Sequence, residues 1–196
     1  MVSSHAIQWL PVDVEDTAPG TFQAVLTALK HPGAAVRLPA SDGLPWRLNS
    51  ASAALLATWV NPETPVWTDL HWDSEPADWL QQTCTCSLVT EPCMARVAFI
   101  ADPFCVPSLG RFHLGEDDRL ERSTSLILQV PGFSAPNGRL RNVSGGGCRL
   151  LLRPTGLPLR FWSDWDDQRR YLPFGIDVFF TCADTLVTLP RGHKLS

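Results

Sequence analysis

The chain has 196 residues, of which 44% are hydrophobic and 18% charged, and its formal net charge at pH 7 is −4. This hydrophobic content excludes an intrinsically disordered protein, because a chain of this length can bury roughly 70% of its unfolded surface in one core. The negative net charge also argues against a nucleic-acid-binding protein, whose contact face would carry clustered lysine and arginine.

The N-terminal sequence indicates where the protein is found. Residues 1–16 lack the cationic region, apolar core and small-residue cleavage site of a signal peptide. No apolar run approaches the ~20 residues that cross a membrane. We therefore expect a cytoplasmic protein with no membrane contact, in which the six cysteines stay reduced. No repeat or linker divides the chain, so we expect a single domain over residues 1–196, with residues 1–16 as an extension and 17–192 as its core.

Helices and strands alternate in the first half of the chain. The spacing of Phe22, Val25, Leu26 and Leu29 predicts a helix over residues 21–30. Asn49 or Ser50 can cap a second helix, and a third begins at Ser74, with Pro76 in its first turn. Strands are predicted over residues 34–38, 65–70, 87–90 and 96–101. Such alternation predicts crossover connections and a partly parallel sheet.

The pattern changes after Ser125. Strands are predicted over residues 126–130, 139–143 and 149–152, and an Asn137-Gly138 turn favours antiparallel meanders. A last helix over residues 162–171 precedes two apolar strands joined by a tight turn. The expected fold class is α/β: a three-layer α/β/α sandwich, in which helices cover both faces of a mixed sheet.

One carboxylate interrupts the last pair of strands. Asp177 follows Gly175-Ile176 and precedes Val178-Phe179-Phe180. Burying a carboxylate there costs about 3 to 7 kcal/mol unless a donor meets it. Asp177 should therefore have a partner, which could be a nearby backbone amide in a structural role or a group in a functional site shared with a neighbouring subunit.

Two further groups of residues could carry chemistry. Cys84, Cys86 and Cys93 could bind a metal or take part in redox chemistry, completed by His71 or Cys105, but their spacing does not fit the paired ligands of zinc sites. Gly145, Gly146 and Gly147 could cradle a phosphate with backbone amides, although no P-loop or dinucleotide motif is present. We predict no catalytic residue, no metal site and no cofactor, and interpret the acidic runs at 116–118 and 164–167 as solvated faces.

The aromatic residues of the last predicted helix suggest a contact with another chain. Trp162, Trp165 and Arg169 lie close together there, in a chain with eight tryptophans. Indole rings and arginine are enriched at the energetically dominant positions of protein interfaces. We therefore expect the face carrying these three residues to be a partner interface, although tryptophans also serve in core packing.

An ordered set of motifs resembles the PhnH family of the bacterial carbon-phosphorus lyase system. An aromatic-rich helix runs into Leu172-Pro173-Phe174-Gly175-Ile176-Asp177, and the hairpin that follows closes with Leu189-Pro190-Arg191. The resemblance spans residues 20–192. The chain departs from the family's usual pattern at Ser144-Gly145-Gly146-Gly147-Cys148 and at Arg191-Gly192-His193. Further matches, in order, are Pro32-Gly33, Leu38-Pro39, Thr64-Pro65-Val66-Trp67, Ala101-Asp102 and Ser125-Leu126-Ile127-Leu128-Gln129-Val130.

The resemblance implies a fold and a function. It implies the fold of pyridoxal-phosphate-dependent transferases without the cofactor, and neither Lys30 nor Lys194 is placed as a cofactor lysine. It also implies an accessory subunit, a homodimer that assembles with PhnG, PhnI and PhnJ. That complex forms alpha-D-ribose 1-methylphosphonate 5-triphosphate from ATP and methylphosphonate. The alternative is a free-standing phosphate- or nucleotide-binding enzyme that uses Gly145, Gly146 and Gly147.

Overall fold

The structure, a computed structural model, describes residues 20–116, 122–134, 143–145, 148–150 and 153–191. It gives the backbone alone for Ser134, residues 143–145 and 148–150, Arg153 and Arg169. Within these residues lie four α-helices, α1 (Thr21–Lys30), α2 (Ser50–Trp59), α3 (Glu75–Cys84) and α4 (Arg160–Gln168). The first seven strands are β1 (Val36–Arg37), β2 (Pro65–Thr68), β3 (Ser87–Leu88), β4 (Val97–Ile100), β5 (Ser125–Gln129), β6 (Phe133–Ser134) and β7 (Val143–Gly145). The remaining four are β8 (Cys148–Leu150), β9 (Arg153–Pro154), β10 (Asp177–Cys182) and β11 (Thr185–Leu189).

Seven strands form one mixed sheet in the order β1-β11-β10-β5-β4-β2-β3. Strands β3, β2, β4, β5 and β10 run parallel to one another, whereas β11 is antiparallel to both β10 and β1. The predicted mixed sheet is therefore confirmed. The hairpin of β10 and β11 is also present, and its two-residue turn places Ala183 at a positive φ of 52°.

The two faces of the sheet carry two separate hydrophobic cores. Ile127 of β5 packs in the core formed with α1, α2 and α3. Its neighbours Leu126 and Leu128 pack in the other core, with Phe161 and Trp165 of α4. Because successive side chains of a strand point to opposite faces, this alternation shows that helices cover both sides of the sheet. The α/β class and the layered arrangement thus agree with the sequence.

Local signals explain why the helices begin and end where they do. The side chain of Asn49 caps α2 by accepting a hydrogen bond from the Ser52 amide at 2.8 Å. Pro76 lies in the first turn of α3, where its missing N–H costs nothing. Helix α1 ends at the predicted His31-Pro32-Gly33, and the positive φ of Gly33 (80°) turns the chain towards β1.

The sequence interpretation was wrong about the strand that follows Ser125. Strand β5 was expected to start an antiparallel meander, but it lies in the middle of the sheet, parallel to β4 and β10. Strands β7 and β8 pair antiparallel in a separate two-stranded sheet, but β7 shares only Val143 with the strand predicted over residues 139–143. The Asn137-Gly138 turn lies outside the described residues.

Two other expectations change in detail. Phe22 was placed on the packed face of the first helix, but α1 buries Ala24, Val25 and Ala28 and leaves Phe22 exposed. The last helix ends at Gln168 and continues as a 3-10 turn over Arg169–Tyr171. In the part of the chain that the structure describes, every helix is too short or too polar to cross a membrane.

Candidate functional site

The strand order creates a crevice at the carboxyl ends of two neighbouring parallel strands. The chain leaves β2 towards α3, which packs on one face of the sheet. It leaves β4 towards the turns around Val106 and Leu109, which pack on the opposite face. In open α/β sheets, ligands bind where adjacent connections diverge in this way. The carboxyl ends of β2 and β4 are therefore the candidate functional site.

Asp69 joins the ends of the two strands. It follows β2 directly, and its carboxylate accepts hydrogen bonds from the Ala101 amide at 2.7 Å and from the Asp102 amide at 2.9 Å. Both amides belong to the segment that leaves β4. The side chain thus holds the two diverging loops together and fixes the floor of the crevice.

The environment of Asp69 shifts the pKa of its carboxyl upwards. Burial raises the pKa of this carboxyl above its ordinary value of 3.8, because desolvation disfavours the charge. The two backbone hydrogen bonds and the nearby Arg47 guanidinium act in the opposite direction and offset part of the effect. A carboxyl poised between burial and donors is typical of functional sites.

A second set of hydrogen bonds fixes the start of α2 over the end of β5. The Gln129 side chain accepts from the Asn49 amide at 2.8 Å and donates to the Arg47 carbonyl at 2.7 Å. The hydroxyls of Ser52 and Thr181 lie 2.7 Å apart in the same region and are buried. The loop that carries Trp46 and Arg47 is therefore held at both the strand and the helix.

A cavity of about 330 Å³ opens beside Asp69. Its volume falls at the lower end of the range of small-molecule sites. Arg47 lies 3.9 Å from a carboxylate oxygen of Asp102 and its guanidinium carbon lies 5.9 Å from the ring centre of Trp46, which is 82% exposed. The lining residues are Trp46, Arg47, Asp69, Leu70, His71, Ser74, Glu75 and Pro76.

The lining of this cavity fits binding better than covalent chemistry. The Asp69 carboxylate already accepts hydrogen bonds from two backbone amides. The Ser74 hydroxyl donates a hydrogen bond to the His71 carbonyl at 2.7 Å. His71 itself pairs with Asp73 through its Nδ1 atom. The exposed indole, one guanidinium and two carboxylates can instead contact a small polar ligand with a flat ring.

Sequence reasoning did not find the main residues of this site. The resemblance included Thr64-Pro65-Val66-Trp67 and Ala101-Asp102, which lie along β2 and just after β4, but Asp69 was placed inside a strand expected to run to Leu70. The strand ends at Thr68. An acidic residue directly after a buried strand was the signal that could have identified Asp69. Arg47 and Gln129 carried no local signal, because they meet only in the folded sheet.

Asp177, predicted to need a partner, has one. Its carboxylate accepts from the Arg191 amide at 2.8 Å, from Arg191 Nε at 3.3 Å and from Arg191 Nη2 at 2.7 Å. Both side chains are mostly buried, with 22% and 23% of their surface exposed. The partner closes the far end of the hairpin, because Asp177 begins β10 and Arg191 lies just beyond β11. Whether the pair also serves a shared site stays a prediction.

The predicted interface residues have different environments. Trp165 is fully buried in the core beneath α4, so its indole packs inside this chain. Trp162 is partly buried and packs edge-to-face against Phe161, with ring centres 5.1 Å apart. It retains surface that a partner could contact. The side chain of Arg169 lies outside the described residues, and the interface stays a prediction.

The glycine run and the cysteines do not assemble into a site among the described residues. Gly145 ends β7 in a strand, and Gly146 and Gly147 lie outside the described residues. Burial raises the pKa of Cys84 to about 11 and that of Cys86 above its ordinary value, so both thiols stay protonated near neutral pH. Within the described ranges, no three His, Cys, Asp or Glu side chains are grouped to hold a metal ion.

The acidic runs are used in the fold as far as they are described. Asp164 of α4 accepts a hydrogen bond from the Leu109 amide at 3.1 Å, which ties the helix to the turn beneath it. Asp167 pairs with Arg170 at 3.1 Å on an exposed surface. Glu116 lies 3.4 Å from the Nε2 atom of His113. Asp117 and Asp118 lie outside the described residues.

Comparison with known proteins gives the family. A family model described as "Bacterial phosphonate metabolism protein (PhnH)" matches residues 12–196. A relative from Rhizobium meliloti (strain 1021), described as alpha-D-ribose 1-methylphosphonate 5-triphosphate synthase subunit PhnH, is 28% identical over 180 residues. The alignment covers 91% of this chain and 90% of the relative. The chain belongs to the PhnH family of bacterial phosphonate metabolism proteins.

Proposed function

We propose that this protein is an accessory subunit of a phosphonate-metabolising synthase, the complex that forms alpha-D-ribose 1-methylphosphonate 5-triphosphate from ATP and methylphosphonate. The observation that carries the proposal is the family match over residues 12–196, together with a relative described as a subunit of that synthase. The subunit works in the cytoplasm as a homodimer with PhnG-, PhnI- and PhnJ-like partners. It performs no independent catalysis.

The geometry of the candidate site supports this role. The cavity beside Asp69 has an exposed tryptophan and charged groups of both signs, but its serine and histidine are engaged in other contacts. Such a site can contact a ligand or a neighbouring subunit without carrying out the reaction itself. We propose that it forms part of a nucleotide or phosphonate site completed by the partner subunits.

The fold proposed from the resemblance is that of pyridoxal-phosphate-dependent transferases without the cofactor. A layered α/β structure with a seven-stranded mixed sheet supports it. A cofactor lysine would need a sheltered pocket, and Lys30 is exposed at the end of α1. Lys194 lies outside the described residues.

The test is native mass spectrometry of the full chain, alone and co-expressed with the PhnG, PhnI and PhnJ proteins of its organism. We expect a dimer of the chain alone and a stoichiometric complex with the partners. A chain that stays free while all three partners are folded and associated would overturn the proposal.

The same experiment tests the predicted interface. Trp162→Ala should remove the chain from the complex, because an indole at an interface centre often contributes more than 2 kcal/mol. Lys30→Ala provides the control, since Lys30 is exposed at the end of α1, which packs on the face of the sheet opposite to α4. Circular dichroism verifies that both variants fold. Equal assembly of both variants would exclude the α4 face as the interface.

A further inference from the structure

A groove runs along the edge of the sheet opposite the candidate site. Two cavities of about 570 and 410 Å³ open where β2, β4 and β5 begin. Both are lined by Glu63 and Arg96, so they are neighbouring parts of one groove, here called the amino-edge groove. Each volume lies within the range of small-molecule sites.

Two arginines of the amino-edge groove have no partner among the residues that the structure describes. Arg96 lines both cavities and is half-buried, and Arg122 lines the smaller one. Neither guanidinium makes an ion pair or hydrogen bond with a residue that the structure describes. Elsewhere Arg47, Arg111 and Arg170 each pair with a carboxylate. A half-buried guanidinium without a partner has lost hydration that an anionic ligand could replace.

The backbone holds Arg96 in place. Its amide donates to the Pro65 carbonyl at 2.9 Å, and its carbonyl accepts from the Ser125 amide at 2.9 Å. It is therefore fixed between the first residues of β2 and β5. Ala95, the residue before Arg96, is also held, because its carbonyl accepts a hydrogen bond from the Thr124 hydroxyl at 2.7 Å. The strand ends therefore fix the backbone position from which the Arg96 side chain reaches the groove.

The surroundings of the two arginines suit an oxyanion. Glu63 is the one carboxylate among the described residues that line the groove, and His113 adds a third basic side chain at the end near Arg122. Hydrogen-bonding side chains line the larger cavity, among them Thr58, Asn61, Thr64, Ser123 and Ser125. The cavity beside Asp69 differs, because two carboxylates face its one arginine.

We propose that the amino-edge groove binds the phosphate or phosphonate group of a small ligand, with Arg96 and Arg122 as its donors. The planar guanidinium matches the oxygens of a tetrahedral oxyanion and can donate two hydrogen bonds in parallel. The rest of the ligand lies in the larger cavity, where Trp59 and Phe22 offer aromatic surface. This site is separate from the cavity beside Asp69, and its ligand binding does not depend on assembly with other subunits.

The experiment measures binding to the full chain by isothermal titration calorimetry and its melting temperature by thermal unfolding. The three probes are inorganic phosphate, methylphosphonate and ATP. At least one probe should bind saturably and raise the melting temperature, since a ligand of the native state stabilises it. Arg96→Gln and Arg122→Gln should each raise Kd about tenfold or more through loss of a charge-assisted hydrogen bond. Arg37→Gln is the matched control, because Arg37 is exposed on strand β1 at a far edge of the sheet. It should leave Kd unchanged.

The three probes distinguish the source of the oxyanion, and the variants decide whether the groove holds it. Because Arg122 is exposed, Arg122→Gln should fold even if Arg96→Gln does not. The proposal fails if no probe binds saturably, or if Arg96→Gln and Arg122→Gln bind as tightly as the control Arg37→Gln. It also fails if no probe binds but Arg122→Gln weakens assembly with the partner proteins, since the groove would then hold an acidic segment of a partner.

Discussion

At the scale of single residues, the Asp177–Arg191 pair joins the two ends of the hairpin. Asp177→Asn replaces the carboxylate that accepts three hydrogen bonds from Arg191, and the new amide N–H group would face the guanidinium. We expect the free energy of unfolding to fall by about 2 kcal/mol, because hydrogen bonds to charged groups are worth roughly 1.5 to 3 kcal/mol. Urea denaturation monitored by tryptophan fluorescence measures this loss.

The Asp167–Arg170 pair provides the control for that change. Its two side chains are 62% and 79% exposed, so water screens their attraction. Asp167→Asn should therefore cost less than about 1 kcal/mol. Equal losses in the two variants would show that Asp177 does not stabilise the hairpin through Arg191.

The charge of Asp69 should make stability depend on pH in a particular direction. Burial raises its pKa above 3.8, so the native protein binds this proton more tightly than the unfolded chain does. The contribution of Asp69 to stability is therefore fully present below pH 3.8 and is lost as the pH rises through the raised pKa. Asp69→Asn removes this titration.

The measurement compares the unchanged chain with Asp69→Asn by urea denaturation at a series of pH values from 3.5 upwards. The free energy of unfolding of the unchanged chain, minus that of the variant, should decrease as pH rises and then become constant. An increase over that range would mean that the two backbone hydrogen bonds outweigh burial and lower the pKa of Asp69.

At the scale of elements, α2 depends on one cap. Asn49→Ala removes the acceptor for the Ser52 amide and should reduce the free energy of unfolding by about 1 kcal/mol. Asn49→Asp keeps an acceptor at the same position and adds a negative charge at the helix N-terminus, which the helix dipole favours. Thermal unfolding followed by circular dichroism should therefore show a smaller loss for Asn49→Asp. A larger loss for the aspartate variant would mean that the contact of the Asn49 side-chain amide with Thr181 matters more than the cap.

The same elements show how far sequence reasoning reaches. Helices α1, α2 and α3 were predicted because their caps, stop signals and apolar spacing are local, such as Asn49 before α2 and Gly33 after α1. Strand β5 was predicted as an element but given the wrong partners. It pairs in parallel with β10, which starts 52 residues after it, and no local pattern encodes a contact at that separation.

At the scale of the whole molecule, the candidate site escaped sequence reasoning for the same reason. Asp69, Arg47 and Gln129 are separated along the chain and meet only when β2, β4 and β5 align at the carboxyl edge. The partner of Asp177 was anticipated in kind, because the cost of burying a charge is readable from one segment. The identity of that partner as Arg191 depends on how the hairpin closes.

Cys84 should report the unfolding of the whole domain, because it is buried in one of the two cores. Its thiol is 4% exposed in the core shared by α1, α2 and α3, and its pKa is raised to about 11. Both effects oppose alkylation, because reagents need access and react with the thiolate.

Cys93 is exposed and should react quickly with iodoacetamide at pH 7.5. Peptide mapping by mass spectrometry over time should show Cys84 labelled far more slowly, at a rate that rises with urea concentration alongside global unfolding. Labelling of Cys84 at low urea, before the fluorescence transition, would instead show that α3 opens on its own and that the core beneath it is not one cooperative unit.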